Sequence, residues 1–134
     1  MNRPSWDEIW ISVAQKIAER SIDERLQVGA VVVTNDNTQV LSVGYNGNYA
    51  GGPNKSESLE PGCSGLIHAE INALLKLDYN NPKVKKMYVT HLPCRMCAKS
   101  IVNSGIKYVV YEQDYRDMSS LDIFKDADVC VRKI

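Results

Sequence analysis

Two short segments of this 134-residue chain carry the residue types that bind metal and move protons: His68-Ala69-Glu70 and Pro93-Cys94-Arg95-Met96-Cys97. One imidazole and two thiolates supply three ligands to a tetrahedral Zn²⁺ and leave its fourth position open, the arrangement of a working zinc rather than a structural one. Such a zinc lowers the pKa of a water toward neutrality, and Glu70, a carboxylate outside the ligand set, would carry the proton. The same three residues also fit two duller readings. One is a structural zinc completed by Cys63; the other is a buried histidine beside two core thiols. Both leave the H-x-E spacing and the paired helix starts described below without a purpose, so His68, Cys94 and Cys97 are read as the metal ligands, with Cys63 outside the set.

Rigid elements must hold these side chains. Ser5-Trp6-Asp7-Glu8 is a capping box after Pro4, and Ile9, Trp10, Val13 and Ile17 recur at helical spacing, which predicts a first helix to about Arg20. Residues 28–34 form a β-branched run, Asn35-Asp36-Asn37 supplies turn chemistry, and residues 39–45 follow, predicting a β-hairpin covered on both faces. Residues 46–66, rich in glycine, form a long irregular loop that ends at the first metal motif. Ile71, Leu74 and Leu75 put His68 and Glu70 on the first turn of a second helix over 68–77. Residues 87–90 predict a short buried strand.

Pro93 favours a helix start, so Cys94 and Cys97 fall in the first turn of a third helix, on one face at i and i+3. Two positive helix ends would then converge on the metal and favour thiolate over thiol. Gly105 closes that helix; a strand over 106–111, a short helix over 121–125 and a last strand over 128–132 complete the chain, with Cys130 read as core. The order is α-β-β-α-β-α-β-α-β in one domain, residues 1–134.

Sixteen basic and sixteen acidic residues cancel to a formal charge of zero, and no basic run is longer than Lys85-Lys86. A protein built to grip a nucleic-acid backbone shows a basic face, so a small anionic substrate is expected and nucleic acid is not. No apolar stretch approaches the length that spans a bilayer, so no membrane partner is expected. Met1-Asn2-Arg3-Pro4 leads into a polar amphipathic segment rather than a signal peptide, and two of the four cysteines form a metal-type pair, which predicts a reduced cytoplasmic setting, the host's if the protein is viral.

The H-x-E and P-C-x-x-C pair is a known signature of zinc-dependent attack on C4 of cytosine or C6 of adenine. In register with it, residues 20–34, Gly44-Tyr45-Asn46-Gly47, His68 through Ala73, Met87 through Thr90, Pro93-Cys94-x-x-Cys97-Ala98-Lys99 and Gly105-Ile106-Lys107 resemble the deoxycytidylate (dCMP) deaminases of bacteria, phages and animals. The resemblance covers nearly the whole chain. It implies a cytidine-deaminase-like, three-layer α/β/α sandwich with a central mixed five-stranded sheet, one catalytic Zn²⁺ per chain, and conversion of dCMP to dUMP. It also implies a homo-oligomer, commonly a hexamer, controlled by dCTP or dTTP bound with Mg²⁺. By position it gives Asn46 as a sugar or base contact, Ala69 as a substrate contact, and Tyr115 as the tyrosine that closes over the nucleotide. Arg20 and Arg25 are candidates for the 5′-phosphate, because a dianion in a neutral protein needs forked local cations.

Three features depart from that family. Asp23 stands where many members have a cysteine of a second zinc site, and only Cys63 remains in the long loop. His91 stands two residues before Pro93, where an apolar residue is usual. The alternatives are a deaminase of another base (tRNA adenosine, dCTP, cytidine or guanine) and a zinc-containing nucleotide-binding module without catalysis. Glu70, which a silent relative would lack, favours the enzyme.

Overall fold

Ser5 opens the first helix as its N-cap, its hydroxyl accepting from the Glu8 backbone N–H at 3.1 Å. That helix, α1, spans Trp6–Ala18 and ends two residues short of the expected boundary. The computed structural model describes residues 2–134; Met1, the first residue of the segment read as lacking a signal peptide, lies outside them. After α1 come β1 (Gly29–Thr34), β2 (Val40–Tyr45), α2 (Ala69–Leu75), β3 (Lys85–His91), α3 (Arg95–Ser104), β4 (Tyr108–Gln113), α4 (Ser120–Asp126) and β5 (Cys130–Lys133). The element order agrees with the order read from the sequence.

The five strands make one mixed sheet in the order β2-β1-β3-β4-β5. β1 runs antiparallel to both β2 and β3, whereas β3, β4 and β5 are parallel. Side-chain alternation divides the core in two, as a strand's period of two requires. Val31, Val33, Tyr88 and Val110 pack under Trp10, Ile11 and Ala14 of α1. Ala30, Val32, Met87, Val89 and Val109 pack on the other side against α2 and α3 through Ala69, Ala73, Ala98 and Ile101, with Phe124 of α4 in the same cluster. This is the expected three-layer α/β/α arrangement.

Two expectations need correction. All six residues of β1 are buried, but β2 is a sheet edge whose exposure alternates, so only half of the hairpin is covered on both faces. Cys130 is exposed: pairing with Tyr108, itself partly exposed, puts it on the outer margin of the sheet, while Val131 takes the inward position. No helix among the described residues is long and apolar enough to cross a membrane.

Candidate metal centre and substrate pocket

The site depends on how closely α2 lies on the hairpin. A Cβ built on Gly44 of β2 would stand 2.3 Å from the Ala69 carbonyl oxygen and 2.6 Å from the Ala73 nitrogen, so only glycine lets the helix approach this far. Polar ties then fix it: Asn72 Nδ2 donates to the Tyr45 carbonyl at 2.9 Å, Lys76 Nζ donates to that of Val43 at 3.0 Å, and Gly47 and Ile67 form an antiparallel bridge. His68 follows directly as the N-cap of α2, with Glu70 in the first turn.

On the neighbouring helix Cys94 is the N-cap, its Sγ accepting from the Cys97 backbone N–H at 3.5 Å. The sequence placed His68 and Cys94 one residue too far inside their helices. Extended backbone at a cap turns each side chain across the helix end, and Cys97, at the third helical position, points to the same spot. His68 Nδ1 lies 3.2 Å from Cys97 Sγ and 3.5 Å from Cys94 Sγ, and the three donor atoms all fall within 4.8 Å of one another. A tetrahedral zinc with ordinary bond lengths separates nitrogen from sulfur by about 3.5 Å and two sulfurs by about 3.8 Å. The donor set therefore fits Zn²⁺ in both chemistry and spacing.

The electrostatics agree. Cys94 is drawn down to about 4, first by the hydrogen bond from the Cys97 thiol and then by His68, against the opposing effect of its burial. Cys97 is pushed up by that same bond and by its burial, so the pair shares one proton, while His68 is raised by its contact with Cys94. Glu70 is 4 % exposed, and burial raises its carboxyl to about 7. A carboxyl poised near neutrality beside three metal donors can both take and return a proton at physiological pH.

One pocket joins this centre to the surface. Its wall includes Glu70, His68 and Cys94 at the metal end, and Tyr115, Arg116 and Arg25 elsewhere. Ala69 and Asn46 line it as well. Arg20, offered with Arg25 for the phosphate, instead lies exposed in the turn after α1 and does not line the pocket. Arg116, which no sequence signal singled out, does line it. Its guanidinium lies over the Tyr115 ring, 4.7 Å from the centroid, and reaches Gly62, where a Cβ would sit 2.9 Å from Nη2. A cation adjoining a tyrosine already picked out was the only available hint.

Asn46 is buried and fully engaged as a donor. Its amide gives one hydrogen to the Leu26 carbonyl at 2.8 Å and one to Asp23 Oδ2 at 3.2 Å, while its Oδ1 accepts from the Val28 N–H at 2.8 Å. It organises the 21–28 loop rather than reaching out with a free N–H. His91 lines the pocket next to Leu92, its Nδ1 2.9 Å from the buried Thr90 hydroxyl, which accepts from the Gly29 N–H. Burial lowers the His91 pKa. Cys63 is exposed and outside the donor cluster.

A borderline-soft donor triad, a buried carboxylate poised near neutrality and two arginines in the lining of the same pocket are the parts of a metal-dependent hydrolase for a small anionic molecule. The chain belongs to the family described as the cytidine and deoxycytidylate deaminase zinc-binding region, which matches residues 4–113. It is 39 % identical over 129 residues to the deoxycytidylate deaminase of Mycobacterium phage D29, covering 85 % of this chain and 99 % of that one. ComE operon protein 2 of Bacillus subtilis is 35 % identical over 141 residues, covering 100 % of this chain and 74 % of the relative. Among solved structures, the dCMP deaminase of cyanophage S-TIM5 in complex with dCMP and dUMP superposes with a TM-score of 0.85 at 31 % identity, covering both chains completely.

Proposed function

We propose that this protein is a zinc-dependent dCMP deaminase, converting dCMP and water to dUMP and ammonia, with the zinc held by His68, Cys94 and Cys97. The observation that carries the reading is one pocket lined by buried Glu70, by His68 and Cys94 of the donor triad, and by Arg25 and Arg116. Relatives of matching length that bear this activity support it.

When bound, the zinc supplies a water acidic enough to lose its proton near pH 7. With the metal held by His68, Cys94 and Cys97, Glu70 would take that proton and deliver it to ring N3 as the C4–O bond forms. It would then take the remaining proton of the new C4 hydroxyl and pass it to the exocyclic nitrogen, so that C4=O forms as the C4–N bond breaks and ammonia leaves. Burial serves this task by holding the carboxyl near the working pH. Arg116 and Arg25 supply forked donors for the 5′-phosphate, Tyr115 covers the nucleotide, and Ala69 lines the pocket where the base enters beside Glu70.

The proposal includes a homo-oligomer, on the resemblance a hexamer. The exposed Leu75 and Met96 of α2 and α3 support it, as apolar side chains available for burial. It includes control by dCTP and dTTP with Mg²⁺, for which the glycine-rich segment 47–52 offers open backbone, and a cytoplasmic setting suited to reduced thiolate ligands.

Ultraviolet absorbance tests the central claim. Purified protein with one zinc per chain should deaminate dCMP, lose the activity to a chelator, and leave cytidine and tRNA adenosine largely untouched. Preference for another base, or no turnover with zinc bound, refutes it. Adding dCTP or dTTP with Mg²⁺ at subsaturating dCMP tests control, and sedimentation velocity tests the assembly.

A further inference from the structure

Asp23 is a charged side chain of the pocket for which the scheme above has no task. It stands in the loop after α1, half-buried, on the same wall as Asn46 and Val28. Both carboxylate oxygens are pinned: Oδ1 accepts from the Arg25 N–H at 2.9 Å and Oδ2 from Asn46 Nδ2 at 3.2 Å. Pinning fixes the carboxylate without exhausting it, because an ionised carboxylate offers about four lone-pair sites. Asn46, by contrast, is buried with both amide hydrogens engaged and its Oδ1 already accepting from the Val28 N–H, so less of its acceptor capacity is left for a ligand. Glu60 also lines the cavity but sits exposed on the long loop. Asp23 is thus a carboxylate of this lining that is held in place at both oxygens and keeps acceptor capacity.

A deoxynucleotide monophosphate brings one sugar hydroxyl, at C3′, and a buried hydroxyl hydrogen needs an acceptor. We infer that Asp23 accepts the 3′-hydroxyl of the substrate sugar and is a specificity-determining residue of this site, with Asn46 acting behind it as its positioning residue. This rests on the dCMP reading for the identity of the sugar. It assigns the sugar contact to the carboxylate that stands where other members have a cysteine, and away from the asparagine that the resemblance suggested.

The test compares dCMP with 2′,3′-dideoxycytidine 5′-monophosphate and with the 3′-amino-2′,3′-dideoxy analogue on zinc-loaded wild type, D23A and D23N. Both kcat/KM and calorimetric binding are read. A charge-assisted hydrogen bond predicts that wild type prefers dCMP to the dideoxy compound by about 10- to 100-fold, and that D23A narrows the ratio to within about 3-fold. General damage to the loop lowers both substrates together and leaves the ratio unchanged. The 3′-amino compound separates a carboxylate contact from an amide contact: its ammonium should bind wild type at least as well as dCMP and lose about 10-fold or more in D23N. If D23A fails to fold, the 3′-amino comparison in D23N carries the test. A D23A variant that keeps the wild-type preference, a D23N variant that binds the 3′-amino compound as well as wild type does, or a wild type indifferent to the 3′ group overturns the inference. Binding with the 3′ preference intact but no turnover sinks the deaminase reading and upholds the Asp23 contact. If none of the nucleotides binds, both fall.

Discussion

Replacing Gly44 by alanine should damage catalysis from a position that touches no reacting group. The added Cβ would lie 2.3 Å from the Ala69 carbonyl oxygen and 2.6 Å from the Ala73 nitrogen, both backbone atoms that no rotamer change can move. An ordinary contact is about 3.5 Å, so α2 must retreat by about 1 Å. Overpacking of this kind costs about 3 kcal/mol. With an unfolding entropy of about 2.1 cal/mol/K per residue, that lowers Tm by about 10 °C for a chain of this length. His68 and Glu70 ride on the first turn of α2, whereas Cys94 and Cys97 ride on α3, so the same retreat pulls the site apart. A misplacement of about 1 Å predicts a loss of about 100-fold in kcat, with weaker zinc retention. Gly29 provides the comparison. A Cβ there is tighter still, 1.9 Å from the Ala14 carbonyl oxygen, but it presses on α1 across the opposite face of the sheet. G29A should melt at least as early as G44A yet hold one zinc per chain and keep most of its kcat. Thermal melts, zinc release to a chromogenic chelator and dCMP kinetics on both variants are the assay. If G44A keeps its zinc and its kcat, or if the two variants lose activity in proportion to their melting temperatures, the role given to Gly44 is wrong.

Substituting Glu70 by glutamine should lower kcat by about 10²- to 10⁴-fold with zinc still bound, and a variant at the wild-type rate would end its assignment as proton carrier. The same residue gives a pH signature in chelator-treated protein. Its carboxyl titrates at about 7 folded against 4.5 ordinarily, so between those values the folded state holds the extra proton and stability falls as pH rises. The unfolding free energy of E70Q minus that of wild type should grow by up to about 3 kcal/mol from pH 4.5 to 7.5; a flat difference would exclude an elevated Glu70. C94A and C97A should each lose zinc and activity together, while C63S keeps both, as metal analysis and kinetics will show. R116Q should raise KM for dCMP by about 10-fold or more with a smaller change in kcat, whereas R20Q, away from the pocket, should leave both within about 2-fold; equal effects would reject the pocket assignment of the phosphate contacts.

What could be read in the chain before its structure was local in origin. The β-branched run of β1, the capping box at Ser5, the stop at Gly105 and the Pro93 helix start each fix an element through neighbours a few residues away. The metal donors were legible for the same reason: each motif is short, and the caps at His68 and Cys94 differ by only one residue from the first-turn positions expected. Cys130 shows where local reading stops. Its surroundings, Asp128 through Arg132, suit a strand, but a strand has two faces, and the choice depends on pairing with Tyr108, which lies 22 positions away in the chain. The exposed margin of β2 has the same origin, since nothing within residues 39–45 says that the sheet ends there.

The pocket wall is the extreme case, because its polar groups come from six separate stretches of chain, at 23–28, 46, 60–64, 68–70, 91–94 and 115–116. Asn46 and Arg25 were picked out through the resemblance, but Gly62 and Arg116 are unremarkable in their own neighbourhood; an arginine after a tyrosine carries no motif. They become a site only because β2 and β1 lie side by side, which lets Asn46 bind residues 23, 26 and 28. The segment after β4 meanwhile reaches over to Gly62. The division has a physical basis. Zinc demands a fixed number of donors at fixed distances, so short, stiff helix starts deliver it and the sequence shows it plainly. A sugar and a phosphate need only an acceptor and a forked cation at the correct place in space, which many chain positions can supply. Substrate preference within this fold is therefore free to move among loop residues while the metal motif stays unchanged, and side chains such as Asp23 and Arg116 are where it must be measured.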